Sequence, residues 1–123
     1  MTETEPRANA SGAGEWGPSL TVDVDAAPWK PTGFPGIEMK VLFDQGEDGM
    51  RTLLMRWAPG SELPYHEHTE IEQTYVFEGS LVDSDGEVTA GNYVCRQKGS
   101  RHSVRAPEGA LVLAVFIRPN RFL

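Results

Sequence analysis

The chain has 123 residues, enough for one domain with little room for a second, and its hydrophobic share of 39% is low but sufficient for a globular core. Thirteen glycines and nine prolines favour many tight turns over long helices. The net charge of -7 is uneven: residues 1–95 carry five basic and seventeen acidic side chains (-12), residues 96–123 six basic and one acidic (+5), and with no basic block nucleic acid is excluded as an expected partner.

One cysteine, Cys95, excludes an internal disulfide scaffold and a Cys-rich zinc module, and is expected to be a small buried apolar residue. No apolar run reaches membrane-spanning length, so no membrane partner is expected. The first nine residues lack the basic-then-apolar layout of a secretory signal, which makes a cytoplasmic, reducing location the expectation.

Residues 1–18 are small, polar and glycine-rich and are predicted to form a flexible arm, with Trp16 as its one docking residue; residues 19–123 form the domain. Residues 20–24 alternate apolar and polar and predict a strand. The prolines of residues 28–36 confine that stretch to a loop or a sheet edge. Strands are predicted over 37–43 and 50–58, around a polar turn at 44–49. Residues 72–77 alternate again and are predicted to close at Gly79; 80–83 and 87–89 flank Ser84-Asp85-Gly86, a hairpin signal. Residues 92–96 and 102–106 are further strands, separated by the turn Lys98-Gly99-Ser100. After Pro107-Glu108-Gly109, the apolar run 111–117 predicts a strand buried on both faces. No segment has a helical period, so about eight to ten short strands predict an all-β sandwich or small barrel.

The segment from Gly60 to Glu72 carries the chemistry. It holds His66 and His68, two of the three histidines, with Glu72 four positions after the second. In an extended strand these three side chains can share a face, and two imidazoles plus a carboxylate make most of a divalent-metal site. Thr74 and Val76 share the parity of Glu72 and should face the same interior, whereas Gln73 should not. Arg56 and Arg101 are candidates for anchoring an anionic substrate, although a solvated or ion-paired arginine is the commoner case.

The spacing from Gly60 through His66, His68 and Glu72 to Gly79 resembles the first cupin motif, G-x5-H-x-H-x3-E-x6-G, at every fixed position. Gly91, Gly99 and His102 are similar to the second motif, with Gln97 in place of its proline and Ala106 in place of its asparagine. The resemblance implies a single-domain cupin, a jelly-roll β-barrel, with His66, His68, Glu72 and His102 gathered inside as ligands of one divalent metal ion. Within the cupins, Pro59-Gly60, Pro64, the segment from Phe77 to Asp83 and Gly99-Ser100-Arg101-His102 look most like the branch of ChrR-type anti-sigma factors and acetylacetone-cleaving dioxygenases. The latter are expected to bind iron through three histidines, whereas Glu72 adds a carboxylate here. Full-length ChrR-type regulators carry a separate Cys/His zinc domain, for which one cysteine leaves no room.

Three imidazoles and a carboxylate suit Fe, Mn, Ni, Cu or Zn. On an octahedral ion they leave two positions for a chelating small carbonyl or enol compound, which points to a metal-dependent dioxygenase in which Glu72 could also act as a base. On zinc the same four ligands can close a tetrahedron, which points to a non-enzymatic sensory or ligand-binding module. An isomerase using metal-polarised carbonyl chemistry is a third reading. Cupins of this kind commonly dimerise, so a homodimer is the expected assembly, with Trp57, Tyr75 and Phe77 either in the core or at its interface.

Overall fold

Period-two runs become strands here wherever a partner strand lies alongside. A computed structural model describes residues 17–123 and shows ten strands and no α-helix among them. They are β1 (Lys30–Pro31), β2 (Ile37–Asp44), β3 (Arg51–Trp57), β4 (Ser61–Glu67), β5 (Glu72–Asp83), β6 (Gly86–Thr89), β7 (Tyr93–Arg96), β8 (Arg101–Ala106), β9 (Ala110–Phe116) and β10 (Arg121–Phe122). All pairings are antiparallel, and the order β1-β2-β3-β9-β5-β8-β4-β10 curls one sheet round on itself, with β6 and β7 also pairing with β5. The predicted all-β architecture is the one observed.

Strand β5 links the two halves. Its first half pairs with β9 and β7, its second with β6 and, at Val82, with β8. The predicted break at Gly79 does not occur: the strand runs through it, with a bulge between Val76 and Glu78, because a glycine at positive φ bends a strand without ending its pairing. Inward positions of the curled sheet form one core, including Ile37, Leu53, Trp57, Val76, Val104 and Val112. Each such side chain contributes roughly 1.5–3 kcal/mol by leaving water.

Three further expectations change. Residues 20–24 alternate in burial but form no strand; the carbonyls of Val24 and Asp25 accept hydrogen bonds from Lys40 Nζ, at 2.7 and 3.4 Å, in place of a ladder. Cys95 is exposed, because the neighbours of inward-facing Arg96 and Val94 on β7 point out. The run 111–117 is buried on one face only: Val112 and Ala114 are enclosed, whereas Leu111, Leu113 and Val115 are half-buried on the outer face and Ile117 is exposed. Lys30 and Pro31 do form the sheet edge. The predicted arm and Trp16 fall almost wholly outside the described residues.

Candidate metal centre

His66 and His102 are direct cross-strand partners, on β4 and β8, with their rings 4.7 Å apart. His68 does not continue β4. It follows the strand's end and is tied to the turn before His102 by two backbone bonds, from its own N–H to the Ser100 carbonyl (2.9 Å) and from the Gly99 N–H to its carbonyl (2.7 Å). That turn is closed by the Gln97 carbonyl, which accepts from the Ser100 N–H and hydroxyl, and Gly99 supplies the φ of +88° that it needs. Gln97 therefore serves where proline is usual, since its carbonyl does the work. Glu72 comes from the first position of β5, across the bend, so the shared-strand parity expected for His66, His68 and Glu72 is not how they meet. Ala106 lies in the core, four residues or about 13 Å along β8 from His102, so its lack of a side-chain amide does not touch this site.

Among the described residues, donor atoms of His66, His68 and His102 lie within 4.8 Å of one another, and all three residues are buried. Each ring is held by its Nδ1. His66 Nδ1 donates to the Pro64 carbonyl (2.7 Å) and His102 Nδ1 to Asp83 Oδ2 (2.7 Å). His68 Nδ1 faces the Ser100 carbonyl (3.1 Å) and Oγ (2.9 Å); that hydroxyl spends its own proton on Gln97, so it accepts from His68. With the protons on Nδ1, three Nε2 lone pairs are left, the arrangement that metal-ligating histidines adopt. Asp83 is itself clamped by Arg96 at 3.0 Å.

The donor set fits a divalent ion. His68 Nε2 is sealed from solvent and makes no hydrogen bond, although Glu72 Oε1 stands 3.2 Å away. Two donors bound to one ion at 2.0–2.2 Å are about 3.0–3.4 Å apart, so that contact has the length of two ligands sharing an ion. Thr74 donates to the other Glu72 oxygen at 3.0 Å, as its parity predicted. A cavity of about 30 Å³ lies against His66, His102, Glu72 and Thr74, room for an ion or a water. A second cavity of about 310 Å³ shares Met55, Leu63 and Phe116 with it. Phe122 of β10, which lines the larger cavity, packs on His66 and on Phe34, with ring centroids 5.2 and 4.8 Å apart.

Burial, ahead of every other cause, holds the His66 and His102 imidazoles below their ordinary value, against the opposing pull of the Pro64 carbonyl and of Asp83 respectively. Burial pushes the Glu72 carboxyl up; in the metal-free protein a proton on His68 Nε2, whose place an ion would take, and the Thr74 hydroxyl outweigh it, leaving Glu72 low. Unfolded imidazoles take up protons below pH 6.5 that the folded ones refuse, so the fold loses stability as pH drops from there through their depressed values. Melting temperatures of the metal-free protein should fall on going below pH 6.5, and His66→Asn should flatten the fall; a wild-type profile level to pH 5 would contradict this.

Both arginines that sequence position nominated turn away. Arg56 pairs with Glu38 on the outer face (2.6 Å) and stacks on Trp29, and Arg101 pairs with Glu67 (3.2 Å). Two arginines face the interior instead: Arg96, which holds Asp83 at the smaller cavity, and Arg51, which lines the larger one. The signal for Arg51 was present: it shares the parity of the buried Leu53, Met55 and Trp57. Asp83 carried no such signal, since the bulge in β5 breaks the alternation before it.

A curled antiparallel barrel with an inward histidine cluster at one end defines a cupin. The chain belongs to the ChrR cupin-like domain family, whose model matches residues 18–120. A protein of Methylibium petroleiphilum PM1, provisionally assigned as an acetylacetone dioxygenase, is 23% identical with a TM-score of 0.78, over 85% of this chain and 81% of that one. A cupin-like protein of unknown function from Ralstonia eutropha JMP134 is 29% identical (TM-score 0.75), over 83% and 74%. The Rhodobacter sphaeroides complex of SigE with the anti-sigma ChrR is 23% identical (TM-score 0.64), over 76% of this chain and half of that one. At 23% identity the likeness is one of fold. No curated protein sequence matches the chain significantly. Among the described residues no helix is long and apolar enough to cross a membrane.

Proposed function

We propose that this protein is a mononuclear metal-dependent oxygenase of the dioxygenase type, acting on a small carbonyl or enol compound, with His66, His68, His102 and Glu72 holding one divalent ion. The observation that carries the reading is the convergence of three buried histidines whose Nδ1 atoms are all engaged, beside an apolar cavity with which the site shares walls. The ion would polarise a chelating carbonyl and, if iron, supply electrons to dioxygen. The chain supplies the rest. Asp83, Ser100 and Pro64 fix the rings, Phe116 walls the site, Phe122 packs on His66, and the Glu72 carboxylate would take a proton from an enolisable substrate on leaving the ion.

The test is metal analysis of protein purified without added metal, then oxygen uptake by the Fe(II)-loaded form with a β-dicarbonyl panel. One ion per chain and uptake that Glu72→Gln slows 10²-fold or more are expected, the usual scale of a general base. A protein that binds none of Fe, Mn, Ni, Cu or Zn sinks the reading. Zinc alone, with silence across the panel, selects a second reading, a zinc-held ligand-binding module; the four clustered donors, three of them lining a 30 Å³ cavity, and the likeness to ChrR support it.

We also read the outer face around Tyr75, Phe77 and Tyr93, which stay 39%, 46% and 56% exposed, as the interface of a homodimer. Sedimentation should give a dimer at micromolar concentration that Phe77→Glu dissociates; a monomeric wild type would remove the reading.

A further inference from the structure

The side-chain polar atoms buried without a hydrogen bond among the described residues are His68 Nε2, Trp57 Nε1 and Arg51 Nε. The first belongs to the metal centre and the second lies against it. Arg51 is the one that the centre does not account for. Its neighbours sharpen the point: Arg56, Arg96, Arg101 and Arg121 each pair with a carboxylate, and Arg51 has no such pair among the described residues. Its one side-chain contact is a weak one, from a terminal nitrogen to Met39 Sδ at 3.5 Å. Asp44 is its cross-strand partner on β2, but Asp44 Oδ1 accepts from the Gly46 N–H and Asp44 does not line the cavity. Its Nε is buried without a partner and the half-buried guanidinium borders the cavity with no anion beside it; that is costly, and a planar carboxylate is the group its fork fits best.

The cavity it faces is otherwise apolar. Its walls include Phe34, Met39, Leu53, Phe116 and Phe122, with Thr32 and Asn120 as the neutral polar groups. Thr32 already donates to the Ile37 carbonyl at 2.8 Å. The position of Arg51 relative to the histidines is set by register: it is opposite Phe116 on β9, and Phe116 is opposite Glu72 on β5. Arg51, Phe116 and Glu72 thus form one inward-facing row, with Arg51 two strand spacings, about 10 Å, from the metal-centre carboxylate.

We infer that the larger cavity is a binding site for small oxo acids, in which Arg51 takes the carboxylate by a bidentate pair, Phe116 and Phe34 cover the apolar chain, and the carbonyl end points to the histidine cluster. Only the carbonyl end rests on the function proposed above; the Arg51 end stands on this cavity alone. The site therefore selects acids that carry their charge remote from the reacting carbonyl, over neutral diketones of the same size.

Calorimetry on the metal-free full-length protein tests this, with levulinate and benzoylpropionate as probes against their methyl esters. The acids should bind saturably and the esters at least tenfold more weakly. Arg51→Met should abolish that preference and Arg51→Lys should keep part of it, since a lysine holds the charge without the fork. Acid and ester binding alike to the wild type, or no saturable binding of either acid, overturns the inference with no variant needed. Acid binding in a protein that takes up no metal would leave the Arg51 site standing and remove the oxygenase. Metal uptake with no acid preference would do the reverse.

Discussion

Replacing His102 with alanine is expected to strip the protein of its metal and of the stability that the metal confers. The wild type, with free metal at about 100 times its dissociation constant, should gain about 2.7 kcal/mol, a rise on the order of 10 °C in melting temperature for a domain of this size. His102→Ala should show no rise, because the centre then keeps two imidazoles and loses the ring that faces both others at 4.7 Å. Loss of affinity should exceed the 10–100-fold that removing a ligand's outer partner costs. That smaller figure is the expectation for Asp83→Asn, which leaves all three rings in place and weakens the hold on His102 Nδ1. Glu72→Gln should fall between, since Glu72 is a fourth donor at the edge of a complete histidine set. Melting temperatures with and without added metal, together with metal content after dialysis, order the variants. His102→Ala retaining the wild-type rise would show that the ion sits elsewhere.

The histidine cluster was legible because its spacing is a consequence of the fold. His66 and His102 must sit opposite each other on β4 and β8, and the short turn at residues 97–100 must return to His68. That fixes the number of residues between the glycines and the histidines, and such a number can be read from one chain. The route by which Glu72 joins them was not legible, because strand parity extended past Glu67 says nothing of the bend at residues 68–71. The pocket was harder still. Arg51 owes its role to Phe116, 65 positions on in the sequence, and to Phe122 beyond it, and no local pattern reports that β3 and β10 border one cavity. Alternation could place Arg51 inside, and only the assembled sheet shows that no carboxylate meets it there. The same limit explains the run 111–117, whose apolar outer face is a property of the surface and not of the core.

Gly79→Ala should be the most damaging glycine-to-alanine change among the described residues. The glycine closes the first cupin motif, and its place in the fold shows why. It lies opposite Ala110 at the point where β5 leaves β9 and begins to pair with β6, with a φ of +75°. A Cβ built there would stand 1.9 Å from the Gly109 carbonyl oxygen and 2.9 Å from the Ala110 Cα, both backbone atoms that no rotamer can move aside. The positive φ costs a non-glycine residue about 1–2 kcal/mol, and forcing the two strands apart adds about 1–3 kcal/mol, so a loss of roughly 2–5 kcal/mol is expected. Gly60 and Gly91, which open the two motifs, provide the control. Their φ values are +84° and +85°, but nothing lies within 4 Å of a Cβ at either, so Gly60→Ala and Gly91→Ala should show the conformational cost alone. Denaturant unfolding of the three variants separates the terms, and equal losses would rule out the close approach of Gly79 to Gly109. Glu72 and Asp83 are the two ends of β5, one beside His68 and the other holding His102. A strand pushed off β9 at Gly79 carries both out of place, so metal affinity should fall in the same variant that loses stability, and should hold in Gly60→Ala.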